Sequence, residues 1–313
     1  MNDFIPVNEP VLDGNESKYL SECIATGWIS SEGAFVERFE RGVAELTQRK
    51  HAIAVSNGTA AIDLAVEALG ISAGDEVIVP SFTIISCLHQ IVRLGAVPIL
   101  IDSDISTWNM DVTKIEERIT PRTKAIMAVH IYGLPVDMNP LLDIAKRYSL
   151  YVIEDAAEMI GQTYFDKPCG SFGDISTLSF YPNKHITTGE GGMVLTNDDD
   201  LAYRLRSLRN LCFESDKRFV HENLGWNYRM TNLQAAVGVA QLERLPEFIV
   251  KKRHVGQFYT NLLSSLKALH LPLGRTEYSS NIYWVYGILI DESQEMDAQT
   301  VMSLLRSSGI GTR

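Results

Sequence analysis

The stretch HAIAVSNGTAAIDLAVEAL, residues 51–69, changes its periodicity once. HAIAV is a short, nearly continuous apolar run, as expected of a strand covered by helices on both faces. From Thr59 onward the apolar residues recur at helical spacing, so TAAIDLAVEAL reads as a helix. The same rhythm continues through DEVIVP, SCLHQIVRL, AVPILID, KAIMAVH, a helix around Pro140 to Tyr148, and LYVIEDAAE. Strands alternating with amphipathic helices predict an α/β fold on a parallel sheet. After Asp174, ISTLSF and MVLTN supply further strands separated by a glycine-rich connection. A long helical region follows from Asn232 to Leu266, with Gly256 as a candidate break. YWVYGILI then reads as a strand and DAQTVMSLLRSSG as a helix. These last pieces predict a large domain over residues 1–240 and a smaller one over 241–313.

The 313 residues are 45% hydrophobic, enough to bury a large core. With 28 Lys and Arg against 39 Asp and Glu, the net charge of −11 argues against nucleic acid or an anionic membrane as a partner. The apolar region from Val77 to Ile101 is interrupted by Pro80, His89, Gln90 and Arg93, so it does not predict a membrane span. MNDFIPVNEP lacks the pattern of a signal peptide, and a cytoplasmic protein is expected. Cys23, Cys87, Cys169 and Cys212 are widely spaced and form neither a C-x-x-C pair nor a zinc pattern. They read as buried or incidental thiols, and no metal site is expected.

Four short segments carry candidate chemistry. Ser56, Asn57, Gly58 and Thr59 lie where a strand meets a helix, whose unpaired N–H groups and partial positive charge suit a phosphate. A plain helix cap by Ser56 or Thr59 accounts for the same residues. Glu154 and Asp155 stand at the carboxyl end of an apolar strand, where open α/β sheets bind ligands, and a carboxylate there can hold a ring nitrogen protonated. In TLSFYPNKHITTGEGGMV, residues 177–194, Lys184 is surrounded by Ser179, Phe180, Tyr181 and the glycines 189, 191 and 192. The serine suits a phosphate, the aromatics would shield a pocket, and the glycines permit close backbone approach. Phe82, after the strand EVIV, offers a flat apolar face at the same sheet edge. A phosphate cradle, a stacking ring, an acid and a nucleophilic lysine together match pyridoxal phosphate, whose aldehyde needs a lysine and whose pyridine nitrogen needs an acid. Lys184 and Asp155 are assigned those roles.

In order along the chain, SNGTAA, GDEVIVPSFT, GAVPILID, AVHIYG, VIEDAAE, GSFGDISTLSFYPNK, TTGEGGM and NYRMTNLQAAVGVAQL resemble the sugar aminotransferases of the DegT/DnrJ/EryC1/StrS family, from IPVNEP to IGTR. The resemblance implies the aspartate-aminotransferase fold (pyridoxal phosphate fold type I), with a large, mixed but mostly parallel seven-stranded sheet and a smaller C-terminal α/β domain. It implies a homodimer with shared active sites and Lys184 bonded to the cofactor. Asp155 would lie on the pyridine nitrogen, Glu158 near the ring hydroxyl and Phe82 over the ring, with Ala157 a further cofactor contact. Ser56, Asn57, Gly58, Thr59 and Ser179 of one subunit and Asn227 of the other would surround the phosphate. His221 and Arg229 would lie near the shared site on the substrate side. The partners implied are a ketosugar and L-glutamate, and the acceptor expected is a GDP-linked 4-keto-6-deoxyhexose used in surface-polysaccharide synthesis. A ketosugar without a nucleotide, such as an 8-oxo derivative of Kdo for lipopolysaccharide, stays open as an alternative. So does a noncatalytic pyridoxal phosphate-binding protein. A nucleotide-dependent oxidoreductase is disfavoured, because the nearest match to G-x-G-x-x-G, GEGGMV, ends in Val194.

Two departures from the family stand out. His185 sits directly beside Lys184, and related sugar dehydratases carry histidine in place of the lysine. The flanking PN and ITTGEGG keep Lys184 in register, so amination is expected, with His185 a neighbour on the substrate side. Relatives also continue past GIGTR, so the smaller domain is expected to be incomplete beside theirs.

Overall fold

The computed structural model describes residues 4–213, 219–221 and 223–313. A seven-stranded sheet is formed by β1 (His51–Val55), β2 (Glu76–Pro80), β3 (Val97–Ile101), β4 (Thr123–Val129), β5 (Tyr151–Asp155), β6 (Ile175–Ser179) and β7 (Gly192–Thr196). Their spatial order is β1-β7-β6-β5-β4-β2-β3, and every pairing is parallel except the two made by β7. Because β7 runs against its neighbours, its first residue, Gly192, faces both Val55 at the end of β1 and Ser179 at the end of β6.

The alternation of side chains along each strand divides the core in two. On one face Ala52, Ala54, Ile126, Val152 and Leu178 meet α1 (Glu16–Thr26), α2 (Ala34–Thr47), α5 (Met138–Tyr148) and α7 (Asn232–Glu243). On the other, Ile53, Val55, Val77, Met127 and Ile153 meet α3 (Gly58–Ala68), α4 (Ser86–Arg93) and α6 (Asp199–Arg209). Phe35, Val36, Phe39 and Val43 give α2 an apolar stripe one helix face wide. It packs on the small residues of α7, where a Cβ on Gly238 would come 2.7 Å from the Phe39 ring.

Beyond α7 the chain forms α8 (Leu245–Leu263), a two-stranded ladder of Leu269–His270 with Leu289–Ile290, and α9 (Ala298–Ser307). Two expectations are corrected here. The long helical region breaks at Arg244, ahead of Pro246, and not at Gly256. Gly256 lies inside α8, and a Cβ there would come 2.4 Å from the Tyr283 ring, so that glycine serves packing. Most of YWVYGILI is not a strand. Tyr283 has φ +50°, its N–H donates to Asn281 Oδ1 at 2.6 Å, and Ile282 N–H donates to Gly133 O at 3.2 Å. The backbone there bonds to loop partners, and Leu289–Ile290 alone pairs as strand. At the other end of the chain, Ile5 bridges Ile310 in parallel. Among the described residues no helix is long and apolar enough to cross a membrane.

Candidate active site

The strands β1, β2, β4, β5 and β6 all point the same way, so their carboxyl ends share one edge of the sheet. Helix α3 starts directly after β1. Asn57, extended at φ −167° and ψ 172°, caps it by accepting the Ala60 N–H on Oδ1 at 2.8 Å. The cap is therefore neither Ser56 nor Thr59. The first intrahelical bond runs from Ala61 N–H to Asn57 O, which leaves the N–H groups of Gly58 and Thr59 ahead of it as anion donors. A Cβ on Gly58 would lie 2.8 Å from Ser179 Cβ and 3.0 Å from Ser179 Oγ, and one on Gly192 would lie 2.4 Å from Asn57 O. Glycine at both positions lets the helix start, β6 and β7 close into one cup. The Thr59 hydroxyl bonds to the Ser86 hydroxyl at 2.8 Å, tying the cup to α4.

Successive residues of β5 face opposite sides of the sheet. Glu154 is fully buried in the core and accepts from Gly170 N–H (2.6 Å), Phe172 N–H (2.8 Å), Ser176 Oγ (2.8 Å) and His130 Nε2 (3.1 Å). His130 Nδ1 accepts the Val136 N–H at 3.0 Å, which places the imidazole proton on Nε2. Burial works to raise the Glu154 pKa, but these bonds and the Arg49 charge outweigh it and hold the carboxyl below its ordinary value. Glu154, His130 and Cys169 bring their ligating atoms within 4.8 Å of one another, yet the carboxylate is already taken up by these donors. Glu154 is an anchor of the core.

Asp155 turns the other way. Its Oδ1 accepts Thr177 Oγ1–H and Ala157 N–H, both at 3.1 Å, and its Oδ2 accepts the Cys87 thiol at 3.3 Å. Thr83 Oγ1 donates to that sulfur at 3.2 Å. Burial, with the Asp155 charge, pushes the Cys87 thiol well up, so it stays protonated and able to donate. Cys87 is buried as expected but is not incidental.

Lys184 follows a tight turn, its N–H bonded to Tyr181 O at 2.9 Å. Its side chain is 11% exposed, with Nζ 3.8 Å from Glu158 Oε1 and 4.0 Å from the centre of the Trp284 ring. Burial lowers the pKa of the amine, against the charges of Glu158 and Asp155, and so favours the neutral nucleophile. Glu158 Oε2 accepts the Tyr132 N–H at 2.7 Å, and burial pushes this carboxyl up to about 7. Tyr132 is also the hub of an aromatic group. Phe82 meets its ring edge-on at 5.8 Å, Trp108 does so at 5.9 Å, and Trp284 lies 5.8 Å away. Phe82 itself is 45% exposed, an open ring face at the sheet edge. Trp284 is held by its indole N–H on Asn183 O at 2.8 Å.

Of the residues expected here, Asp155, Ala157, Glu158 and Lys184 come together, with Phe82 beside Tyr132, and Asn57, Gly58, Thr59 and Ser179 form the adjoining cup. Ser56 sits between them, its N–H on Tyr228 O at 2.8 Å. Phe180 does not shield the pocket: it is buried in the core against Phe39, with ring centres 4.9 Å apart. His185 is 5% exposed, its Nε2 3.4 Å from Ile282 O, and its pKa is pushed down to about 3 by burial and then by the Lys252 charge. It is a neutral, enclosed side chain. Asn227 bridges Asn210, Arg229 bridges Val55 and donates to Asn210 Oδ1 at 2.6 Å, and His221 bonds Leu211 O at 2.9 Å. Thr177, Cys87, Tyr132 and Trp284 were missed. Thr177 had a signal, since the period of two puts it on the same side of β6 as Ser179. Trp284, a hundred residues from Lys184 in the chain, had none.

The fit to pyridoxal phosphate is good: a cup that two Cβ atoms would fill, a buried carboxylate oriented by three donors, and a buried amine of lowered pKa against the Trp284 ring. Fold and site together define a lysine-dependent enzyme of the aminotransferase kind. The chain belongs to the DegT/DnrJ/EryC1/StrS aminotransferase family, whose pattern matches residues 10–313. It is a pyridoxal phosphate-dependent aminotransferase with the aspartate-aminotransferase fold. It is 47% identical to a GDP-perosamine synthase of Caulobacter vibrioides, over 99% of this chain and 83% of that protein. It is 44% identical to a GDP-perosamine synthase of Vibrio cholerae, over 99% of this chain and 84% of that protein. The solved aminotransferase from Psychrobacter cryohalolentis is 32% identical, with a TM-score of 0.90 over 98% of this chain and 83% of that one.

Proposed function

We propose that this enzyme moves an amino group from L-glutamate to a GDP-linked 4-keto-6-deoxyhexose for a surface polysaccharide. The observation that carries the reading is the 47% identity, over nearly the whole chain, to a relative named GDP-perosamine synthase. When bound, pyridoxal phosphate supplies the aldehyde for amine exchange and a ring that draws electrons from the reacting carbon. Asp155 would hold the ring nitrogen protonated, its carboxylate oriented by Thr177 and Ala157 on Oδ1 and by the Cys87 thiol on Oδ2. The Lys184 amine, lowered in pKa by burial, holds and moves the proton at the reacting carbon. Glu158 takes the ring hydroxyl side and Phe82 covers the ring. The N–H groups of Gly58 and Thr59, with Ser179, hold the phosphate.

The assembly in this reading is a homodimer in which Asn227 of a second copy completes the phosphate site. All four cysteines are free and buried, which suits the reducing cytoplasm. The chain divides near residue 240 into a large and a smaller domain. His221 and Arg229 belong to the substrate side, while the enclosed His185 shapes the floor behind Lys184.

The test is a competition for glutamate-dependent amination among GDP-4-keto-6-deoxymannose, a dTDP-4-ketosugar and 8-oxo-Kdo, following the sugar amine and 2-oxoglutarate by mass. The GDP sugar should be taken by a large factor, because a pocket built to hydrogen-bond a nucleotide is left with unpaired buried groups by other acceptors. Amination of the Kdo derivative alone would overturn the assignment.

A further inference from the structure

Trp226, Asn227 and Tyr228 present their side chains alternately. The rings of Trp226 and Tyr228 stack with centres 5.3 Å apart and planes 6° from parallel, while Asn227 between them is exposed. The stacked pair is bound to one face of α3. Trp226 Nε1–H donates to Glu67 Oε2 at 2.8 Å, and Tyr228 O–H donates to Asp63 Oδ2 at 3.2 Å. Asp63 and Glu67 are four residues apart, one helical turn, which matches the two-residue rise of an extended strand lying along the helix. From α4, Gln90 donates to the same Glu67 oxygen at 3.3 Å and the Arg93 guanidinium stands 5.5 Å over the Trp226 ring. The backbone is gripped as well, Trp226 N–H on Leu208 O at 2.7 Å and Tyr228 N–H on Arg209 O at 3.1 Å.

We infer that Asp63 and Glu67 are positioning residues that, through Tyr228 and Trp226, fix Asn227 in the outward pose needed to reach the cofactor phosphate of the second copy. The inference rests on the role proposed above for Asn227. It gives α3 two tasks: its first turn serves the phosphate of its own site, and its flank sets the donor offered to the other. A single amide held on a rigid, doubly clamped strand binds more tightly than one on a free loop, because its ordering is complete before the phosphate arrives.

Tyr228→Phe removes the O–H and keeps the ring; Glu67→Ala removes the acceptor of the indole. Each cofactor-free dimer is titrated with pyridoxal phosphate and with pyridoxal, which lacks the phosphate. Both variants should bind pyridoxal phosphate about three- to tenfold more weakly, the scale of one lost hydrogen bond, and pyridoxal unchanged. Differently tagged copies then give purified mixed dimers of Lys184→Ala with Tyr228→Phe. The one site that retains Lys184 takes Asn227 from the copy with the intact clamp, so borohydride should fix cofactor there at the wild-type concentration dependence. Equal weakening toward both ligands marks general loosening and overturns the inference, as does a defect that stays in the mixed site. Asn227→Ala separates the two levels. If it leaves pyridoxal phosphate affinity unchanged, the role of Asn227 fails and the inference with it. If it weakens affinity while Tyr228→Phe and Glu67→Ala do not, the clamp alone is refuted.

Discussion

Replacing Glu158 with glutamine should make the cofactor-free protein more stable, by an amount that depends on pH. Burial raises this carboxyl from its ordinary 4.5 to about 7, so the folded protein keeps a proton that the unfolded chain has released. A raised carboxyl pKa leaves stability intact at low pH and erodes it as pH climbs from about 4.5 to about 7. At about 1.4 kcal/mol per pH unit, that window corresponds to roughly 3 kcal/mol by pH 8. The Lys184 charge, 3.8 Å away, already offsets part of the burial cost in that value. The advantage of Glu158→Gln should therefore be about 3 kcal/mol at pH 8 and under about 1 kcal/mol at pH 5. The Tyr132 N–H keeps an acceptor in the amide, so the loop geometry is preserved. Urea unfolding at the two pH values measures the difference directly. A gap that does not change with pH, or one that favours wild type as pH rises, would refute the reasoning.

Gly58→Ala should destabilise the cofactor-free protein, because the new Cβ meets Ser179 Cβ at 2.8 Å; in urea unfolding Ser179→Gly should restore the stability and Ser179→Ala should not, while the lost Ser179 hydroxyl keeps cofactor binding weak. Borohydride reduction of the yellow enzyme should label Lys184 on peptide mapping, and Lys184→His should abolish transfer from glutamate; turnover retained in that variant would move the base elsewhere. His130→Ala strips a donor from the fully buried Glu154 and should cost about 3 kcal/mol or more in urea unfolding, with cofactor present or absent. Gly256→Ala should destabilise by about 1–3 kcal/mol, since its Cβ would enter the Tyr283 ring space at 2.4 Å, and a stability gain there would contradict the packing role.

Local periodicity was enough to read the strands of the sheet and the helices α3, α4, α5 and α7, because each strand is a short apolar run between helices; α1, α2 and α6 were not read. The direction of β7 was not legible, since MVLTN has the same pattern whichever way it runs. Gly256 was misread for a related reason: glycine marks a helix break or a close contact with equal ease, and the ring that decides the matter, Tyr283, lies far along the chain. The site divided similarly. Lys184, Asp155 and the Ser56–Thr59 junction lie on one edge because chemistry and strand ends coincide in the sequence. Trp284, Tyr132 and Cys87 reach the site through tertiary contacts alone. Phe180 was assigned to the pocket on proximity to Lys184, whereas its place on the opposite side of the chain from Ser179 sends it into the core beside Phe39.

The adjacent acids of β5 make strand register a matter of chemistry as well as packing. A slip of one residue would turn Glu154 toward the cofactor edge and leave Asp155 facing His130, the amides of Gly170 and Phe172 and the Ser176 hydroxyl. The shorter aspartate falls a methylene short of those donors, and the longer glutamate would overrun the pocket formed by Thr177, Ala157 and Cys87. The two carboxylates thus act as a length-coded key during folding, and exchanging them, Glu154→Asp with Asp155→Glu, preserves charge and composition while removing the penalty that rejects the misregistered sheet.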